Sequence, residues 1–258
     1  MDYKAIRKIL TQKVKQYNRP GFIKDDPISI PHKFSKKQDI EIAAFFSSLL
    51  AWGNRKTIIN SCTRLFTEMD NAPHDFVINF QDKNFKPFQN FVHRTFNSDD
   101  LYSLLFFLQK HYKKNESLET AFIQSHSLQN DSIENALNGF YHYVFNNEDE
   151  FLQRTKKHIA APFKKSTCKK LNMFLRWMVR CDNNGVDFGL WKNILPHQLI
   201  CPVDIHVARV ARSLHLLKRK QTDWLAAVEL TEKLKTFDAS DPVKYDFALF
   251  SMGAVEKY

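Results

Sequence analysis

Apolar residues recur at three- and four-residue spacing along nearly the whole chain, which predicts a succession of helices. The spacing predicts a first helix over Asp2–Tyr17, then a loop from Pro20 to Phe34 that carries Pro27 and Pro31. Ser35 is placed to cap a helix through Lys36–Trp52, and Asn54–Met69 follows as another. A shorter helix is expected over Ala72–Phe80, whereas Lys86–Phe96 mixes aromatic and basic residues and reads as a loop. Ser98 or Asp99 caps Leu101–Tyr112, and helices over Leu118–Gln124 and Ser132–Phe145 lead to an acidic turn, Asn146–Glu150.

Beyond that turn a helix is expected from about Thr167 to Arg180, with Leu171, Phe174, Leu175 and Met178 forming its core stripe. Val186–Ile194 reads as short and partly helical. Pro202 then opens a helix that buries Val203, Val207, Val210, Ala211 and Leu214, and helices over Thr222–Phe237 and Asp241–Gly253 follow. No internal repeat, low-complexity tract or convincing strand pair interrupts the pattern, so the expected fold class is all-α.

Composition agrees with a globular helical protein. Of 258 residues, 43% are hydrophobic and 14% aromatic, enough for a sizeable core, and only 6 are glycine, too few for a turn-rich β fold. Cys62, Cys168, Cys181 and Cys201 form no C-x-x-C pair, so neither a zinc ribbon nor a disulfide scaffold is expected. They read as reduced thiols of a cytoplasmic protein with no metal site. Met1 to Lys8 lacks the apolar stretch of a signal peptide, and runs such as Ile42–Trp52 are too short to cross a bilayer.

Charge adds a direction. The net charge is +10, and Phe151 to Arg180 holds nine basic residues and no acidic one, leaving 29 basic against 28 acidic elsewhere. A band of one sign attracts a polyanion, nucleic acid being the commonest. A solvated helix face is the competing account, although such faces usually mix signs.

The candidate chemistry centres on Cys201-Pro202-Val203-Asp204-Ile205-His206-Val207-Ala208-Arg209-Val210. Asp204 is expected in the first turn of an amphipathic helix, where the amide dipoles favour a carboxylate that could activate water or stabilise a developing cation. The same position also suits a plain helix cap. His206, Arg209 and Ser213 recur along the polar side, suited to phosphate or to water.

Pro-Val-Asp-x-His-Val-x-Arg-Val resembles the catalytic aspartate segment of the helix-hairpin-helix DNA glycosylases. The likeness extends over about Lys164 to Gly253, through a Leu-rich helix end (Leu214, Leu216, Leu217) and a closing helix ending Phe250-Ser251-Met252-Gly253. Two strings, Asn172–Arg180 and Asp241–Phe250, resemble a bacterial group of conserved proteins of unknown function associated with that superfamily. The resemblance implies two helical lobes with a cleft between them: residues 35–184, ending in a hairpin-like element, and residues 1–34 plus 185–258, carrying Asp204. It implies base-excision chemistry on double-stranded DNA by a monomer, with no cofactor.

Bifunctional members use a lysine ahead of the aspartate to attack the sugar C1′. Lys169 and Lys170 are the candidates. Helix phase points Lys169 into solvent and sets Lys170 at the border of the core stripe, beside Phe174 and Trp177, where burial and neighbouring cations would lower its pKa. A purely phosphate-binding lysine is the alternative. The 34-residue separation of Lys170 from Asp204 looks more like the archaeal 8-oxoguanine glycosylase branch, which makes an oxidised base the first substrate expected.

Two features depart from the family. Ala161-Pro162-Phe163-Lys164-Lys165-Ser166-Thr167 replaces the Leu-Pro-Gly-x-Gly hairpin, so phosphate would fall to lysines and a helix N-terminus, and no four-cysteine cluster follows Gly253. Lys164, Lys165, Lys169, Arg176, His206, Arg209, Asn54 and Arg55 are the candidate DNA contacts, and Trp177 a candidate wall of the base pocket. A DNA- or RNA-binding module without catalysis is the alternative function.

Overall fold

A computed structural model of the chain describes residues 2–123, 133–146 and 153–256. Of the acidic turn expected over Asn146–Glu150 all but Asn146 lies outside them, as do the helix ends expected at Gln124 and Ser132. The fold is all-α apart from one short hairpin. The helices are α1 (Tyr3–Tyr17), α2 (Lys37–Leu50), α3 (Arg55–Thr67), α4 (Pro73–Ile78), α5 (Ser98–Tyr112), α6 (Thr120–Ile123), α7 (Glu134–Val144), α8 (Lys169–Val179), α9 (Ile205–Ser213), α10 (Trp224–Lys235) and α11 (Asp246–Ala254). The exception lies inside the stretch read as a loop: β1 (Val92–His93) pairs antiparallel with β2 (Phe96–Asn97).

The chain divides into two compact units. One comprises Met1–Lys24, Leu128–Leu137 and Ala161–Tyr258, the other Asp25–Ser127 and Asn138–Ala160. The expected division had its boundary at Asn184; in these units the hairpin-like element and α8 fall together with Asp204, and Arg176 of α8 pairs with Asp187 and Asp246 beyond it.

In the unit that begins at Asp25, α2 is buried from Ile40 to Leu50, including Glu41. A carboxylate there is tolerable only when satisfied. Glu41 accepts hydrogen bonds from the Tyr112 hydroxyl (2.8 Å), the Ser117 hydroxyl (2.6 Å) and the Leu118 amide (3.0 Å). Around it lie the phenylalanines, with Phe122 and Phe140 stacked at 4.0 Å and Phe45 and Phe107 edge-on to Phe140. Ser35 does not cap α2, whose start at Lys36 has no side-chain cap, and Asn97 rather than Ser98 or Asp99 caps α5 in a reciprocal box with Asp100. Asp100 also receives Thr155 Oγ1 (2.8 Å) and lies 3.1 Å from His158 Nε2. Burial raises its pKa, but these partners outweigh burial and hold the carboxylate below its ordinary value.

In the other unit, α1 and α9 both pack on α11. Gly253 permits the second contact: a Cβ there would lie 2.9 Å from the His206 carbonyl oxygen. Gly253→Ala is expected to destabilise the protein in urea denaturation, because overpacking costs about 1–3 kcal/mol, more than the roughly 1 kcal/mol that alanine gains over glycine in a helix. An unchanged midpoint would mean that α9 yields freely at its N-terminal turn. Val186–Ile194, expected to be partly helical, is not. Its amides serve the end of α8 instead, Phe188 donating to the Trp177 carbonyl (2.8 Å) and Trp191 to that of Met178 (2.9 Å).

Candidate active site

The segment before α8 turns tightly without glycine. A 3₁₀ turn over Pro162–Lys164 closes with Lys165 in the left-handed region (φ 59°), and Cys168 takes the same conformation (φ 52°) as N-cap of α8. Each costs roughly 1–2 kcal/mol relative to glycine. The Ser166 hydroxyl offsets part of this by accepting the Cys168 amide (3.1 Å). Lys164 and Lys165 are exposed on this turn, and Lys169 and Lys170 open the helix half-buried.

Burial, followed by the positive charge of Lys169, pulls the Lys170 amine down from 10.5 to about 8. Asp204 is the N-cap of α9, one residue before its first turn. Its Oδ1 accepts the amides of His206 (2.9 Å) and Val207 (3.0 Å), which leaves Oδ2 without a hydrogen-bond partner among the described residues. The carboxylate is half-exposed.

A second carboxylate completes the group. Asp246, first residue of α11, is buried, and its pKa is raised to about 6 by that burial and by the negative charge of Asp204, against the pull of Arg176 and Lys169. Lys169 thus links the two halves of the site, acting on Lys170 and on Asp246. It was expected to point into solvent, and it is half-buried.

Behind Asp246 runs a buried ladder of ion pairs. Arg176 donates to Asp246 and, at 3.3 Å, to Asp187. Arg180 donates to Asp187 (3.0 Å), Asp182 (2.6 Å) and Asp241 (2.9 Å). Asn18 Nδ2 donates to Asp182 at 2.6 Å, and both guanidiniums lie over the Phe247 ring.

A family model for a protein of unknown function (DUF2400) matches residues 26–255. The chain belongs to the DUF2400 family. Neither the curated proteins nor the solved structures gave a match. The matched span of this DUF2400 chain holds the turn before α8, Lys170, Asp204 and Asp246 and leaves out α1.

Several expected site residues do other work in the DUF2400 fold. Arg176 is corrected from DNA contact to buried counter-ion, and with Arg180 it removes two of the nine charges from the basic band. Arg154 is also occupied, donating to the Thr95 carbonyl (3.0 Å) and pairing with Asp100 (3.3 Å). Trp177 is wholly buried, with its indole N–H unpartnered among the described residues, so it offers no open wall to a base. Arg209, at the surface, donates to the Gly253 carbonyl (2.9 Å) at the end of α11. His206 is half-buried and its Nδ1 has no partner among the described residues. Asn54 caps α3, accepting the Thr57 amide (3.3 Å), and Arg55 is that helix's first residue. Both belong to the unit that begins at Asp25.

Asp246 and Asp187 were missed as site residues. Their signal was present: Arg176 and Arg180 are spaced i, i+4 along a helix too apolar to expose them, so carboxylates had to meet them inside. Among the described residues no group of three or more His, Cys, Asp or Glu side chains is placed to hold a metal, and no helix is long and apolar enough to cross a membrane.

Proposed function

We propose that this chain is a DNA base-excision enzyme, an N-glycosylase with abasic-site lyase activity, in which Lys170 is the nucleophile and Asp204 the electrostatic partner. The observation that carries this reading is the depressed Lys170 amine at the start of α8, within the same unit as an aspartate that keeps one oxygen unpaired. A neutral amine can form a bond to the sugar C1′ as the glycosidic bond breaks. The base departs with the bonding electron pair and takes up a proton. Opening of the sugar ring then gives an imine, from which β-elimination breaks the C3′–oxygen bond. Asp204 stabilises the positive charge that develops on the sugar. Exposed Lys164 and Lys165 on the preceding turn suit the phosphates of the strand. The resemblance to the 8-oxoguanine branch makes that lesion the first to test.

Borohydride reduces such an imine and fixes the DNA to the protein. With duplexes carrying 8-oxoguanine or an abasic site, a trapped adduct is expected that Lys170→Gln loses. Its rate should climb about tenfold per pH unit while the amine is mostly protonated and level off near pH 8, because only the neutral form attacks. A rate that keeps climbing to pH 10 would point to an ordinary exposed lysine. One observation favours a non-catalytic binding module, namely that Asp204 Oδ1 is engaged as a helix cap. Binding without base release or adduct on any duplex would select that reading.

A further inference from the structure

In the unit that begins at Asp25, one surface feature takes no part in the site just described. Trp52, between α2 and α3, is 48% exposed, whereas Trp177, Trp191 and Trp224 are 0%, 1% and 4% exposed. The guanidinium carbon of Arg94 rests 4.1 Å from the centre of a Trp52 ring. An exposed indole paired with an arginine could be a chance surface contact, but the backbone beneath it is built to hold the pair. Arg94 sits at the tip of the β1–β2 hairpin in the left-handed region, φ 56°. The preceding His93 is buried and anchors the tip, its Nδ1 3.0 Å from Ser61 Oγ on α3 and its Nε2 3.3 Å from the Trp52 carbonyl oxygen. Gly53 has φ 109°, and a Cβ there would lie 3.0 Å from Arg94 Nη1 and 3.3 Å from its Cδ. Only glycine lets the arginine lie across the tryptophan.

The two segments that carry the pair hold only positive charge as far as Ser98, and Asp99, which follows, is paired with Arg154. Neither Ala51–Thr67 nor Lys83–Ser98 contains an Asp or Glu, and Lys56 and Arg94 are both exposed. A flat aromatic face that stays half open, capped by a guanidinium and with Lys56 four residues along the chain, matches the chemistry of an unpaired base and its flanking phosphates. Every base has a π-face, so such a platform is tolerant of sequence.

We infer that Trp52 and Arg94 form a stacking platform for an unpaired nucleobase of a DNA strand, with Arg94 and Lys56 taking the adjacent phosphates. The choice of DNA rests on the function proposed above; the platform itself does not depend on Lys170 chemistry.

Trp52 being the one exposed tryptophan, its fluorescence reports the contact directly. Titration of the whole 258-residue chain with a short single-stranded oligothymidylate at low salt is expected to quench the emission. Trp52→Ala should weaken binding by about five- to 150-fold, with Trp52→Phe, which keeps a smaller ring, in between. Arg94→Ala should lower the salt dependence of binding by about one counter-ion. Melting temperatures within a few degrees of the wild type would show that these variants fold. No quenching, or a Trp52→Ala variant that binds within about twofold of the wild type, overturns the platform. Borohydride trapping on the unaltered protein separates the two readings. An adduct without quenching removes the platform and leaves the enzyme, whereas quenching without an adduct keeps the platform and removes the lyase.

Discussion

Asp204→Asn is expected to lower base release by about 100- to 10,000-fold, the usual span for a lost catalytic carboxylate, while DNA affinity stays within about twofold of the wild type. The variant isolates charge from structure. Asparagine caps helices as well as aspartate does, so its side-chain oxygen can still accept the amides of His206 and Val207, and α9 should begin where it does now. What disappears is the negative charge that Asp246 feels from Asp204. Base release and duplex affinity, measured side by side with a denaturation curve, check all three statements. Unimpaired base release would sink the assignment and leave Asp204 as a helix cap. A fall in stability with activity retained would say the same from the other direction.

The second large effect is on folding. Arg176→Ala should cost about 3–5 kcal/mol in urea denaturation, the price of leaving a buried carboxylate without its partner. Asp187 keeps Arg180, but Asp246 loses its hydrogen-bonded cation and Phe247 the nearer of the two guanidiniums over its ring. The loss should depend on pH. The Asp246 pKa is already raised from 3.8 to about 6, so the folded state holds this proton more tightly than the unfolded chain, and this group's contribution to stability falls as pH rises from about 4 to 6. Removing Arg176 raises that pKa further. The variant should therefore be penalised more at pH 8, where the carboxylate must ionise unpaired, than at pH 5, where it stays neutral. A loss below about 1 kcal/mol at both values would mean that water reaches Asp246 once the arginine is gone.

Much of the fold was legible because helical periodicity is a local signal. The stripe Leu171, Phe174, Leu175 and Met178 is buried as expected, and so are Val207, Val210 and Ala211 on α9. The errors share a physical origin in tertiary partners that local pattern does not encode. Val186–Ile194 gave up helix because its amides were claimed by carbonyls at the end of α8. The cap of α5 fell to Asn97 because Asp100 returns its hydrogen bond. Helix phase set Lys170 at the border of the core stripe, and it is half-buried, as is Lys169. Lys169 acts on Asp246, 77 positions away, whereas phase alone had pointed it outward. Arg176 and Arg180 were counted as surface charge because composition registers sign and not depth.

The division of the chain also has a consequence for its synthesis. The unit that begins at Asp25 is built from two stretches of sequence and the unit holding Lys170 and Asp204 from three, and α1 belongs to the latter. Its first helix buries Ile6 and Leu10 and is tied by Lys13 and Tyr17 to Glu256. At translation rates of about 5–20 residues per second, α1 leaves the ribosome roughly ten to fifty seconds before α11 exists for it to pack on. During that interval its apolar face has no native partner. The emerging chain must keep that face from other chains, and nascent-chain chaperones would find their binding site at the first helix rather than the last.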